Sequence, residues 1–373
     1  MTRLPPLLCL LALLPLPGFA ASPQVIQSEK VTFALEQVVD GLGIPWGLAF
    51  ISATQLLITE REGNVRLLDT QSKTLTPVQG APAVRVDGQG GLLDVAVPPD
   101  FEAGDWIYFT FVRDKDGEGV TVLARAKLEA NTLTQWQDLL ETQSATDTGY
   151  HFGSRIAFDQ KGYIYFGVGD RGERSTAQAL TNHAGSVMRL FRDGRVPQDN
   201  PFSQRRDALP EIWSYGHRNP QGMAYDTQHQ RLWLIEHGPR GGDEINLVLP
   251  GRNYGWPVIS YGEEYWGPIA VGEGTHREGM EQPVKQYTPS IAPGSLLLYA
   301  GDSFPAWRGN LFAGALKLRH LNRVTLSEDG TAIGEERLLT ELDERIRALA
   351  QSPQGWLYCS TDSGKIFVIK PAD

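Results

Sequence analysis

The chain is 373 residues long with 41% hydrophobic, 21% charged and 9% aromatic residues, enough apolar material to bury a substantial core and to exclude an intrinsically disordered chain. Asp and Glu number 44 against 34 Lys and Arg, a formal net charge of -10, and no dense run of basic residues interrupts that balance. Nucleic acid and anionic membrane surfaces are therefore excluded as expected partners.

At the N-terminus Arg3 precedes an apolar stretch over residues 4–16 that contains prolines, and Gly18-Phe19-Ala20-Ala21-Ser22 follows. A basic start, a short apolar run and small residues at its end predict a secretory signal peptide over residues 1–20, cut near Ala20 or Ala21. The run is too short and too interrupted by proline for a membrane anchor, and nothing later reads as a transmembrane helix. Cys9 would leave with the signal, so Cys359 remains alone and an internal disulfide is impossible. The expected address is a bacterial periplasm, with secretion as the alternative, and residues 21–373 are expected to form one domain.

Along that domain a unit recurs: an apolar strand, a polar turn, then a second, aromatic-rich strand. It begins at Trp46-Gly47-Leu48-Ala49-Phe50, at Gly91-Leu92-Leu93-Asp94-Val95, and at Arg155-Ile156-Ala157-Phe158. It returns at Gly222-Met223-Ala224-Tyr225-Asp226, at Ser295-Leu296-Leu297-Leu298-Tyr299 and at Ile346-Arg347-Ala348-Leu349-Ala350, six copies in all. Spacings of roughly 45 to 75 residues fit blades of about four strands with loops of different length. Alternation with turns such as Asp159-Gln160-Lys161-Gly162 indicates antiparallel hairpins, so the expected fold is all-β, a six-bladed propeller of four-stranded blades with few, short helices. Asp114-Lys115-Asp116-Gly117-Glu118-Gly119 looks like the start of a calcium loop, but Arg125 stands where its last ligand should be, so it reads as a hairpin tip. Residues 175–208 and 262–286 are expected to interrupt the strand pattern and to lie on the ligand-binding face.

Three loop segments carry residues suited to chemistry. Tyr150-His151-Phe152-Gly153-Ser154-Arg155 puts an imidazole at a strand entry, where it would serve as a general base or as a structural group. Ser214-Tyr215-Gly216-His217-Arg218-Asn219-Pro220-Gln221-Gly222 offers a planar cation beside an amide, suited to an anionic, carbonyl-rich ligand, or else a plain inter-blade loop. Glu236-His237-Gly238-Pro239-Arg240-Gly241-Gly242-Asp243-Glu244-Ile245-Asn246, with Asn253-Tyr254-Gly255-Trp256-Pro257 beyond it, bends the backbone so that carbonyls converge beside Asp243 and Glu244, hard oxygen ligands of the kind calcium prefers; a solvated acidic turn is the alternative.

Together with Gly88-Gln89-Gly90-Gly91, Gly314-Ala315-Leu316-Lys317 and Glu344-Arg345-Ile346-Arg347, these segments in this order resemble the soluble quinoprotein glucose dehydrogenase and aldose sugar dehydrogenase family, its aldose sugar dehydrogenase branch most closely, over essentially the whole mature chain. The resemblance implies a six-bladed propeller with pyrroloquinoline quinone (PQQ) on its top face. It implies an oxidoreductase that turns aldoses into lactones and passes electrons to an external acceptor. By position, His151 would take the proton of the anomeric hydroxyl as hydride passes to the quinone, and Arg218 would stabilise the charge forming on the quinone oxygen. Gln89, Arg218, Asn219, Lys317, Arg345 and Arg347 would bind the cofactor, a planar tricarboxylate that needs a local cationic nest in an acidic protein. The carbonyls of Gly238 and Pro239 would hold a catalytic calcium (Ca2+), and Glu244 with the Tyr254 carbonyl a second, structural one. The family's glucose dehydrogenases have Asp before the catalytic His, whereas this chain has Tyr150, which leaves the group that orients His151 open, Asp147 being the nearby candidate. Either a monomer or a homodimer is compatible with the sequence. The competing functions on this scaffold are a calcium-dependent lactonase, with carboxylates and amides around a central metal, and a non-catalytic binding propeller.

Overall fold

Each of the six sequence copies folds as the innermost strands of its own antiparallel sheet. In the computed structural model, which describes residues 23–372, the innermost strands are Pro45–Phe50, Leu92–Ala96, Ile156–Phe158, Pro220–Asp226, Pro293–Leu298 and Ile346–Gln351. Each packs on the next, and the sixth packs back on the first, so six blades close into a ring around a central axis. The expected signal peptide and Cys9 lie outside the described residues.

Five sheets have four strands, as expected, and the sixth has five. Its extra material comes from the other end of the chain: Thr32–Val39 pairs antiparallel with Ile366–Pro371, and Gln24–Gln27 pairs in turn with Thr32–Val39. This seam closes the ring through backbone hydrogen bonds and covers the outer edge of Ile366–Pro371. Between blades the strands bury both faces. Trp233, Ile235 and Ile245 of the fourth blade meet Leu311 and Ala313 of the fifth in one such layer, and each fully buried side chain of this size contributes roughly 1.5–3 kcal/mol.

Double-sided burial also explains one departure from expectation. Residues 175–208 contain a full strand, Ser186–Phe191, whose side chains are nearly all buried, so it lacks the apolar–polar alternation by which a half-exposed strand is recognised. The Asp114–Gly119 stretch is a hairpin tip joining Ile107–Lys115 to Glu118–Glu129, with Asp116 and Gly117 at positive φ. Helix is confined to the short 3-10 turns Arg174–Gln178, Pro305–Trp307 and Thr340–Leu342 among the described residues. None is long and apolar enough to cross a membrane.

One buried guanidinium crosses the axis, beside a cavity lined by the inner strands of all six blades. Arg155, just ahead of the third blade's inner strand, donates to the Trp46 carbonyl at 2.8 Å, Asp94 Oδ1 at 2.9 Å, the Gln221 carbonyl at 3.1 Å, the Gly294 carbonyl at 2.6 Å and the Arg347 carbonyl at 3.0 Å. These partners belong to the first, second, fourth, fifth and sixth blades, so the third blade is tied to every other one through a single side chain.

Candidate active site

In an antiparallel blade the entry to the first strand and the turn between the second and third lie at the same end. That rule gathers the expected residues on one face. Gln89, His151, Arg218, Asn219 and Arg345 lie at entries to inner strands. Gly238 and Pro239 lie in the turn after Arg231–Glu236, and Lys317 in the turn after Leu311–Ala315. The sequence reading missed Asp170, which leaves the strand Tyr163–Val168 on the same face.

Asp170 answers the question left by Tyr150. His151 Nδ1 lies 2.6 Å from Asp170 Oδ1, and the carboxylate also accepts the Gly172 N–H at 2.8 Å and, on Oδ2, the Trp256 Nε1–H at 2.7 Å. Asp147, the nearby candidate, is exposed and has no hydrogen bond to the imidazole. Burial alone would raise the Asp170 pKa, but the bond from His151 and the field of Arg218 hold it below the usual carboxylate range. An ionised Asp170 fixes the proton on Nδ1 and leaves Nε2 with a free lone pair, the tautomer a base requires. Burial depresses the His151 pKa, a trend that the bond to Asp170 opposes and the charges of Arg218 and Arg171 reinforce. The ring is therefore neutral at pH 7.

The loop carrying His151 is clamped rather than free. His151 has φ +60°, and Gly153, at φ +65°, has no room for a Cβ because the Gly167 carbonyl would lie 2.4 Å from it. Arg171, fully buried, donates to the carbonyls of Tyr150, Thr148 and Gly119 and stacks 3.5 Å over the Phe152 ring. Gln89 Oε1 accepts the His151 backbone N–H at 2.9 Å.

Opposite, the backbone carbonyl of Arg218 accepts the Asp170 N–H at 2.9 Å, which brings the expected base and the expected cation onto one patch. Arg218 Nη1 donates to the Gly238 carbonyl at 2.7 Å, and its guanidinium lies 5.2 Å from the Trp256 ring centre. Gly238 itself must be glycine, because a Cβ would fall 2.2 Å from the Gly242 carbonyl oxygen. His237, next to it, donates Nε2–H to the Pro293 carbonyl at 2.6 Å. Its pKa is pushed down to about 3 by burial, against that bond and with help from the charges of Arg218 and Arg347, so this ring too is neutral.

The remaining cations divide. Arg347 is buried and shares Asp362 with Arg345: Arg347 Nε donates to Oδ1 at 2.8 Å, while Arg347 Nη2 at 2.9 Å and Arg345 Nε at 2.7 Å meet Oδ2. Arg347 also sits 4.5 Å over the Trp46 ring. Two guanidiniums on one carboxylate leave a net positive charge, and exposed Lys317, with no ion pair among the described residues, adds another. Asn219 Nδ2 and Arg218 Nε are buried donors without a partner among the described residues. Such donors are costly unless an acceptor reaches them, so the set fits a planar, carbonyl-rich polyanion.

The acidic segment separates into two parts. Asp243, expected as a hard ligand, is spent inside the fold: its oxygens accept from Gly238 N–H at 2.9 Å, Ser290 Oγ at 2.7 Å and Ala292 N–H at 2.9 Å, and so tie the turn down. Glu244 is different. It lines a small cavity with Gly216, Glu236, Gly238, Tyr254 and Ser260, and its pKa is pushed up to about 8 by burial and by the charge of Glu236. A carboxylate so poorly paired fits a cation. No cluster of three or more His, Cys, Asp or Glu suited to a metal occurs among the described residues, so any metal here must draw on backbone carbonyls.

A clamped His151–Asp170 pair and a group of cations on one face of a six-bladed ring form the arrangement against which relatives can be judged. The profile of the family described as Glucose / Sorbosone dehydrogenase matches residues 42–368. The chain belongs to that family. It is an oxidoreductase, an aldose sugar dehydrogenase of the quinoprotein group. It is 39% identical over 353 residues to the aldose sugar dehydrogenase YliI of Escherichia coli (strain K12), covering 92% of this chain and 94% of that one. The crystal structure of the soluble aldose sugar dehydrogenase from Escherichia coli in its apo form superposes with a TM-score of 0.86 at 38% identity, covering 91% of this chain and all (100%) of that one. The PQQ-bound aldose sugar dehydrogenase from Streptomyces coelicolor gives a TM-score of 0.74 at 26% identity, covering 94% and 98%. The lactonase alternative is not supported, because this family member holds Arg155, and not a ring of carboxylates and amides, at the centre of its blades.

Proposed function

We propose that this dehydrogenase oxidises the anomeric hydroxyl of aldoses to the lactone, with PQQ and calcium, and passes the electrons to an external acceptor. The observation that supports it most is the His151–Asp170 pair beside Arg218, because hydride loss from carbon requires a base to take the hydroxyl proton as the carbonyl forms. His151 Nε2 accepts that proton, and Asp170 stabilises the imidazolium produced. Arg345, Arg347 and Lys317 would hold the carboxylates of PQQ, Asn219 and Gln89 its carbonyl edge, and Arg218 the oxygen on which charge accumulates. When bound, PQQ supplies the electrophilic carbon that accepts the hydride, and calcium on the Gly238 and Pro239 carbonyls supplies Lewis-acid polarisation. Glu244 and the Tyr254 carbonyl would hold the second calcium. The electrons would pass to an external acceptor, with the protein exported to the periplasm by its N-terminal signal. The test is reconstitution: apoprotein given PQQ and calcium should reduce a dye when aldoses are added, and failure across a broad aldose panel would reject the reading.

Two pH effects follow. Since His151 acts as the neutral ring and its pKa is depressed, kcat/KM should rise with pH through an acid limb lying below the ordinary imidazole value of about 6.5 and stay flat through neutrality. An acid limb above that value would contradict the assignment. For Glu244, a raised carboxylate pKa means the folded state binds a proton that the unfolded state has released, so calcium-free protein should lose stability as pH rises from about 4.5 towards 8. Calcium should raise the melting temperature more at pH 8 than at pH 5, and Glu244→Gln should remove that difference.

A further inference from the structure

Soluble proteins seldom expose large apolar side chains in groups, and those that do mark a binding surface. Here several stand at the mouth of the site. Tyr150 is 47% exposed, and its ring centre lies 5.3 Å from the His151 imidazole. On the other side, Tyr265, Trp266 and Ile269 are 65%, 73% and 55% exposed, and Tyr265 OH lies 3.5 Å from Arg218 Nη2. Each of the two expected reacting-centre residues is thus bordered by an aromatic side chain that stands about half exposed or more.

Trp266 sits at the tip of a small hairpin whose base is built to hold it still. Glu263 pairs antiparallel with Ala270 and with Arg240, and the Glu264 N–H donates to the Ile269 carbonyl at 2.8 Å. Glu264, buried, receives both terminal nitrogens of Arg174 at 2.6 and 2.7 Å, and that guanidinium lies 5.4 Å from the Trp256 ring centre. Trp256 bonds Asp170, so the hairpin is braced against the same carboxylate that orients His151. A bidentate ion pair on a buried carboxylate and two strand pairings are more than a loop tip needs merely to persist in water.

We propose that Tyr150 and the Tyr265–Trp266 tip form an outer saccharide subsite, which receives the second pyranose ring of a disaccharide or longer glycan whose reducing-end ring is being oxidised. The inference rests on the proposed function for the position of the first ring. A sugar hydroxyl within hydrogen-bond reach of His151 Nε2 places that ring between His151 and Arg218, and a ring joined to it must leave through the mouth these aromatics border. Pyranoses present an apolar C–H face and a polar rim. Tyrosine and tryptophan match that pattern with a flat apolar body and one polar tip, and they order few rotatable bonds in doing so.

The experiment has two parts, both on the full chain reconstituted with PQQ and calcium. First, kcat/KM for cellobiose is divided by kcat/KM for glucose in the wild type and in Trp266→Ala, Tyr150→Ala and Trp266→Phe. The ratio should fall about tenfold in each alanine variant and recover in Trp266→Phe. Second, methyl β-cellobioside and methyl β-glucoside, whose anomeric oxygen is capped against oxidation, are titrated by calorimetry. The cellobioside should bind more tightly than the glucoside, and Trp266→Ala should abolish the difference. An equal loss for all sugars would assign the residues to the first ring or to folding and overturn the proposal. A loss that follows the identity of the electron acceptor and not the sugar would make the tip an acceptor-docking surface and overturn it too. Trp266-dependent cellobioside binding in a protein that oxidises no aldose would uphold the subsite while the oxidation reading fails.

Discussion

Replacing Asp170 by asparagine is expected to lower kcat by about 10³- to 10⁴-fold while leaving the fold and PQQ binding in place. The change is nearly isosteric. The backbone Gly172 N–H and the Trp256 indole N–H still require an acceptor, and the asparagine carbonyl serves only one of them well. Its amide NH2 can face His151 Nδ1, which then accepts a hydrogen bond instead of donating one. That reverses the tautomer: the proton moves to Nε2, and the atom proposed to take the substrate's hydroxyl proton no longer has a lone pair. Losing the carboxylate also removes the charge that stabilises an imidazolium in a buried pocket, so the His151 pKa falls further from its already depressed position. The measurements are steady-state turnover of an aldose and an absorption titration with PQQ. Full turnover in the variant would rule out His151 as the base.

Asp170 was hidden in the sequence for a definite reason. It lies 19 positions from His151, across a hairpin, and Gly169-Asp170-Arg171-Gly172 reads as an ordinary turn. Only the blade's geometry, which returns the second strand to the face where the first began, places the two side by side. Asp362 was hidden in the same way, since Thr361-Asp362-Ser363-Gly364 has the composition of a surface turn and yet serves Arg345 and Arg347 together. The six inner hairpins, by contrast, were readable because each pairs an apolar strand with a tight polar turn within some dozen residues, a purely local signal. The strands Gln24–Gln27 and Thr32–Val39 follow no such unit. Thr32–Val39 finds its partner at the chain's other terminus, with Gln24–Gln27 added at its outer side, and pairing over that distance leaves no periodicity to find. Asp243 shows the opposite error: an acidic residue beside glycines has the right composition for a metal site, but buried N–H groups of the same turn claim it first.

Arg155→Met is expected to destabilise the folded protein by about 3–5 kcal/mol, the range for removing one partner from a buried ion pair. The arginine's five contacts end on four carbonyls and on Asp94, one in each of the other five blades. Methionine fills the volume of the stem but leaves those acceptors without donors, and leaves Asp94 with a charge it cannot keep. Burial already raises the Asp94 pKa, against the attraction of Arg155 and the Ile156 N–H. In the variant that rise grows, so the folded state binds a proton the unfolded state has released, and the stability deficit should widen as pH climbs above the usual carboxylate range. Asp94→Asn made on top of Arg155→Met should recover part of the loss, because no unpaired charge then remains, and the two changes will be far from additive. A second consequence reaches the site. Two of the carbonyls Arg155 holds belong to Arg347, in the cationic nest, and to Trp46, whose ring lies against the Arg347 guanidinium. PQQ affinity should therefore drop in any Arg155 variant that still folds, whereas kcat at saturating PQQ should fall much less, since His151, Asp170 and Arg218 are held by other bonds. Urea unfolding at two pH values, with a PQQ titration of the folded fraction, measures both effects. A stability loss below about 1 kcal/mol would show that the blades are held by their apolar interfaces alone and that the central guanidinium is only filling space.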